Sequence, residues 1–181
     1  MATTDHDILN AIRLDADEGF RLLLTKYKEP VYWHIRRLVV AHDDALDATQ
    51  ETFIRVYRSI STFSAKGSFA GWIYRIATNE TLRILSHRQN TEVSLDSEES
   101  GTTLEAYADE YVDYSDAEAI LLQKAILTLP PKQQVAFNLR HFDDMSYEDI
   151  AHAMGITASA AKVNYHLAKM KIIVHLKKNI S

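Results

Sequence analysis

The sequence predicts an all-α protein built as two small helical bundles joined by a flexible acidic linker, the C-terminal bundle containing a helix-turn-helix. Three observations lead there. Apolar residues recur three or four apart in both halves of the 181-residue chain, the repeat of helices with one buried face. Five Gly and three Pro are too few for a turn-rich β-sandwich. The net charge of −5 is unevenly spread: residues 1–90 carry +1, residues 91–118 carry −10 with no Lys or Arg, and residues 119–181 carry +4. These shifts place one domain over 1–90, the linker over 91–115 and a second domain over 116–181.

Phe20, Leu23, Leu24, Tyr27, Val31, Ile35 and Leu38 follow one helix face, with Pro30 inside the run, where a kink or break is expected. Asp43 and Asp44 offer an N-cap to the next helix, whose stripe is Leu46, Thr49, Phe53, Val56, Tyr57 and Ile60. After a short loop, Phe69, Trp72, Ile73 and Ile76 begin a third stripe that runs to about His87. Residues 91–115 are rich in Ser, Thr, Asp and Glu and show no apolar period, the composition of a flexible tether. Helical pattern resumes near Asp116 and stops at Pro130-Pro131, a pair that ends one helix and is tolerated in the first turn of the next. Val135, Leu139 and Phe142 form the apolar face of that next helix. Ser146-Tyr147-Glu148-Asp149 is a capping-box-like start, with Asp in place of the usual Glu or Gln. Tyr147, Ile150, Ala151 and Met154 bury the helix that follows, Gly155 ends it, and Thr157 caps a last helix reaching about Lys177.

The stretch from Ser146 to Lys171 is the most informative. A short helix, a Gly-containing turn and a second helix are the parts of a helix-turn-helix. At 100° per residue, Ala161, Tyr165, Ala168 and Ile172 fall within about 60° of one another and form the buried side. Ser159, Lys162, Val163, His166 and Lys169 lie opposite, a mixture of hydroxyl, methyl, imidazole and ammonium groups suited to base edges and phosphates. The small residues Ala158 to Ala161 keep the helix N-terminus slim, and with Thr157 its free N–H groups suit a phosphate. From Thr157 onward there are five lysines and no acid. A plain helical hairpin with a solvated lysine face has the same pattern.

Other chemistries find little support. With no cysteine, disulfides, thiolate catalysis and cysteine-type zinc sites are excluded. The eight histidines form no pair with metal-ligand spacing, and no HExxH, Walker loop or GxSxG motif is present, so no enzyme activity, metal, cofactor or small-molecule substrate is expected. No window approaches a membrane span, and the acidic N-terminus lacks the features of a signal peptide. A cytoplasmic location fits.

Two stretches together resemble a known family. Residues 129–142 (LPPKQQVAFNLRHF), 146–151 (SYEDIA), 154–157 (MGIT) and 161–163 (AKV) resemble region 4 of bacterial sigma factors. Residues 43–57 (DDALDATQETFIRVY) and 71–79 (GWIYRIATN) resemble region 2. Both in this order, joined by a short linker, are similar to the extracytoplasmic-function class. The resemblance implies that core RNA polymerase is gripped by one face of the DATQETF helix, which here carries Asp47, Glu51, Ile54 and Arg58, with Gln50 at its margin. It implies that the following loop and helix bind and open the promoter −10 element, for which Lys66, Ser68, Trp72, Tyr74, Arg75 and Asn79 are candidates. Trp72 also fits the core stripe, whereas Tyr74 and Arg75 lie off it; Asn79 can equally be a buried hydrogen-bonding residue. It implies that the last helix reads the −35 element through Thr157, Ser159, Lys162, Val163, His166 and Lys169. Asn164 and Leu167 stand where many members carry Arg, so base preference does not carry over. The acidic linker is either a nucleic-acid mimic within polymerase or a solubilising tether. Many members are silenced by an anti-sigma factor, and nothing in the residues identifies one. The alternative is a helix-turn-helix regulator that binds operator DNA without polymerase.

Overall fold

The computed structural model describes residues 3–64, 66–94 and 117–180, and among these it has eight α-helices and no strand. Thr4 starts α1 (Asp5–Leu14) with a capping box: its hydroxyl accepts from the Asp7 N–H while the Asp7 carboxylate accepts from the Thr4 N–H. Sequence periodicity missed this helix, which has only one fully buried residue, Ile8. Gly19 lets α1 cross α2 (Ala16–Val39) closely, since a Cβ there would lie 2.3 Å from the Ile12 backbone nitrogen.

The break expected at Pro30 does not occur: α2 runs through it as one helix. Leu23, Tyr27, Val31 and Ile35 are buried on both sides of Pro30, so packing along a single face offsets a penalty of about 3 kcal/mol. The expected cap at Asp43 or Asp44 is also corrected. Helix α3 (His42–Ser59) has Ala41 at its N-cap without a side-chain bond. The two acids sit instead in the first turn, where they favour the helix dipole, and Asp44 pairs with Arg88. Helix α4 (Phe69–Ser94) passes well beyond His87, so the first residues assigned to the linker are helical. The rest of the linker, 95–115, and residue 116 lie outside the described residues.

In the C-terminal half, α5 (Ala117–Leu127) and α6 (Pro131–His141) meet at the Pro pair, with Pro131 in the first helical turn. The Gln134 amide holds that corner by donating to the Leu129 carbonyl at 2.8 Å. Ser146 caps α7 (Tyr147–Met154) by accepting from the Asp149 N–H, and Thr157 caps α8 (Ala158–Ile180) by accepting from the Ala160 N–H, both at 3.1 Å. Gly155 closes α7 in the left-handed conformation at φ 65°. A Cβ there would meet no atom closer than 3.6 Å, so Gly155→Ala should be destabilising through backbone strain alone, by about 1 kcal/mol. The expected drop in melting temperature is about 2–4 °C, read by circular dichroism.

The two helical bundles pack against each other. Leu23, Val31, Ile35, Ile73 and Ala77 share one apolar core with Leu139, Met145, Ile150, Ala153 and Ala161. A second core, Ala125, Ile126, Leu129, Phe137, Ala168 and Ile172, belongs to the C-terminal helices alone. The N-terminal lobe (α1–α4) and the C-terminal lobe (α5–α8) therefore touch, chiefly where α7 lies on α4 and α6 on α2.

Candidate protein and nucleic-acid interfaces

An open apolar groove of about 1530 Å³ lies between α2 and α3. Phe20, Leu24 and Tyr32 line it from α2, and Leu46, Ile54 and Tyr57 from α3. Asp47, Gln50 and Arg58 stand along it, exposed; Thr49, expected on the opposite side, is buried within its lining, and Val56 on the other side of α3 is buried. Glu51 does not join this groove. It is half-buried beside Arg55, whose Nε lies 3.0 Å from Glu51 and 2.9 Å from the buried Glu80 of α4. Leu46 and Tyr57, expected in the core stripe, are instead 47% and 48% exposed. Period alone cannot separate them from core because they flank the buried face within one helical turn.

The residues expected at the −10 element divide. Lys66, Arg75 and Asn79 are exposed, which corrects the buried alternative for Asn79. Ser68 caps α4, its hydroxyl accepting from the Gly71 N–H at 3.0 Å. Trp72 is half-buried in an aromatic cluster, stacked on Phe69 at 5.9 Å and tilted against Phe63 at 5.4 Å. Tyr74 is a correction: rather than facing outward, it is 5% exposed, with its hydroxyl donating to Asp143 of the other lobe at 3.1 Å. Burial and the Asp143 charge push its phenol far above the usual range. Asp143 in turn is pushed up to about 6 by burial, against the lowering effects of Arg37 and the Tyr74 bond. His34, fully buried, is held neutral, its pKa lowered to about 3 by desolvation and by Arg37.

Helix α8 presents the face expected of it. Ala161, Ala168 and Ile172 are buried, whereas Thr157, Ser159, Lys162, Val163, His166 and Lys169 are exposed. Phe137 and Tyr147 position the helix by packing on half-buried Tyr165, at 5.9 and 6.2 Å between ring centroids. Lys169 lies with its ammonium 5.6 Å from the Tyr165 ring. Asn164 bonds back to the Ala160 carbonyl at 2.9 Å, which occupies it within its own helix. Beyond the expected face, Leu167, Met170 and Val174 continue from Val163 as an exposed apolar line. Its four-three-four spacing is visible in the sequence once the buried side is fixed.

Among the described residues no helix is long and apolar enough to cross a membrane. Residues 23–91 match the family Sigma-70 region 2, and residues 119–172 match Sigma-70, region 4. The chain is 31% identical over 161 residues to the ECF RNA polymerase sigma-E factor of Haemophilus influenzae, covering 83% of this chain and 84% of that one. It is 30% identical over 160 residues to the ECF RNA polymerase sigma factor SigE of Mycolicibacterium smegmatis, covering 88% of this chain and 62% of that relative. The fold is also that of the sigma factor RpoE of Bartonella quintana, solved in complex with the anti-sigma factor NepR, with a TM-score of 0.67 at 20% identity over 88% of this chain and 98% of that one. The two matched segments cover α4 and the helix-turn-helix in the order read from the residues, and with these relatives they place the chain in the extracytoplasmic-function family of RNA polymerase sigma factors.

Proposed function

We propose that this chain recruits core RNA polymerase to promoters, with the two lobes dividing the work. The N-terminal lobe grips polymerase through the α2–α3 groove: Ile54, Leu46 and Tyr57 supply apolar contact, and Asp47, Gln50 and Arg58 supply a charged rim. The loop and first turns of α4 hold the −10 element, with Lys66 and Arg75 on phosphates and Trp72 as the aromatic platform for an unstacked base. The C-terminal lobe sets Ser159, Lys162, Val163 and His166 of α8 against the −35 major groove, with the capped helix end at Thr157 against a phosphate. The observation that carries this is the pairing, on one chain, of an open apolar groove with a slim, acid-free helix face.

The net charge of −5 fits a protein that binds bulk DNA weakly by itself and engages promoters only within the polymerase assembly. The chain is thus a non-enzymatic, cytoplasmic transcription factor of bacteria without a cofactor. An anti-sigma factor, such as the one seated on the Bartonella relative, is the expected silencing partner. Retention of the full chain on immobilised core polymerase tests the assignment; tight operator binding without polymerase would favour a stand-alone regulator. Lys162→Ala should then weaken −35-dependent transcription by about 1–3 kcal/mol, roughly 5- to 160-fold, without altering polymerase retention. Equal loss of both would mean that α8 does not face DNA.

A further inference from the structure

The α2–α3 groove owes its shape to one corner of the chain. Its two walls are joined by Val40 and Ala41 alone, so the conformation of that pair sets the angle at which the walls diverge. Val40 holds φ 66° and ψ −44°. Among the described residues only Asp144 shares a positive φ without being glycine. Asp tolerates that region, whereas for a β-branched side chain it is a strained outlier. The Ala41 N–H donates to the Val39 carbonyl at 2.8 Å, which makes the corner a γ-turn of the rare, strained kind. Such a turn persists only where its surroundings over-determine it. Here the tie comes from a third helix. Arg88, near the end of α4, donates from Nη1 to the same Val39 carbonyl at 2.9 Å and from Nη2 to the Asp44 carboxylate in the first turn of α3. One planar guanidinium therefore grips the end of α2 and the start of α3 together, a fork that a lysine ammonium does not reproduce. A second tie, between Tyr32 Oη and His42 Nδ1 at 2.8 Å, crosses the groove at the same end.

We propose that Arg88 is a positioning residue for the polymerase contact: by clamping the strained Val40 turn it fixes the opening of the α2–α3 groove, although it is not part of the groove lining. The inference rests on the function proposed above and adds how its groove is held. Without the clamp the turn relaxes toward negative φ and α3 swings against α2. Leu46, Ile54 and Tyr57 then lose their fixed distances from Phe20 and Leu24 across the groove. Glycine populates positive φ about as readily as negative. Val40→Gly therefore removes the strain that Arg88 restrains and makes Arg88 dispensable. A residue that merely stabilises the lobe would show no such coupling.

Retention on immobilised core polymerase decides it, measured on the full-length parent, Arg88→Ala, Val40→Gly and the double variant. Arg88→Ala should weaken retention by about tenfold or more, while Val40→Gly and the double variant should both stay within about threefold of the parent. Losses that simply add in the double variant would overturn the proposal, and so would parental retention by Arg88→Ala. Arg88→Lys keeps the charge but not the fork, guards against a loss of fold, and should show the same rescue by Val40→Gly. The free protein gives a second readout. The chain has no cysteine, so spin labels can be attached through thiols introduced at exposed Lys28 and Arg58, on opposite walls of the groove. The distance between them should be narrowly distributed in the parent, broad in Arg88→Ala and narrow again in the double variant. A distribution unchanged by Arg88→Ala would overturn the clamp. Because the labels report without polymerase, failure of the parental chain to be retained would remove the proposed function, while the clamp on the groove would still stand or fall by these distances.

Discussion

Ile54→Asp should reduce retention on core polymerase by about 30- to 1,000-fold, corresponding to roughly 2–4 kcal/mol for an apolar anchor at the centre of a contact. Ile54 lies in the groove between Leu46 and Tyr57 and is 38% exposed. A charge there is solvated in the free protein, so the melting temperature should stay close to that of the parent. In the complex the same charge would be buried against an apolar partner without a counter-ion, which is what makes the loss large. Rim residues should behave differently. Asp47→Ala should change retention by less than about 1 kcal/mol, and its effect should shrink as salt is raised. Retention and melting measured side by side decide the matter. If Ile54→Asp binds within threefold of the parent, the groove is not the contact.

The groove shows where sequence reasoning stops. Ile54, Asp47 and Arg58 were legible because charged residues around a lone Ile on one helix face are unusual. Leu46 and Tyr57 were not, because their spacing is also that of a core stripe and only the position of α2 decides which side of α3 is covered. Pro30 failed for a related reason. Its local penalty is visible in the chain, but the packing of Leu23, Val31 and Ile35 that outweighs it is not. The helix-turn-helix was read nearly to the residue, because Ser146, Gly155 and Thr157 act through bonds and angles within a few positions of themselves. Tyr74 and Asp143 lie 69 positions apart. No local pattern joins them, so the contact that closes the lobes and withdraws Tyr74 from the surface was illegible. Local chemistry therefore revealed the helix proposed to face DNA, while the arrangement of the lobes had to come from the fold.

The same division predicts the consequence of Phe137→Ala. Phe137 is 4% exposed at the centre of the smaller core, flanked by Ala125, Ile126 and Ile172 and stacked on His141 at 4.9 Å as well as on Tyr165. Removing a buried phenyl ring costs about 3–5 kcal/mol. A lobe of this size seldom holds more than about 3–5 kcal/mol from its own core. The penalty thus equals what the C-terminal lobe has, and α5, α6 and α8 should lose their mutual packing. The N-terminal lobe keeps Ile8, Leu23, Val31 and Val56, all fully buried and remote from Phe137 in sequence. Amide hydrogen exchange should accordingly rise across α5 to α8 and much less across α1 to α3, and −35-dependent transcription should fall to background. Polymerase retention should persist, because the groove lies wholly on α2 and α3 and owes nothing to Phe137. Uniform loss of protection along the chain would mean that the shared apolar core makes the two lobes one cooperative unit, and polymerase retention would then vanish with the helix-turn-helix.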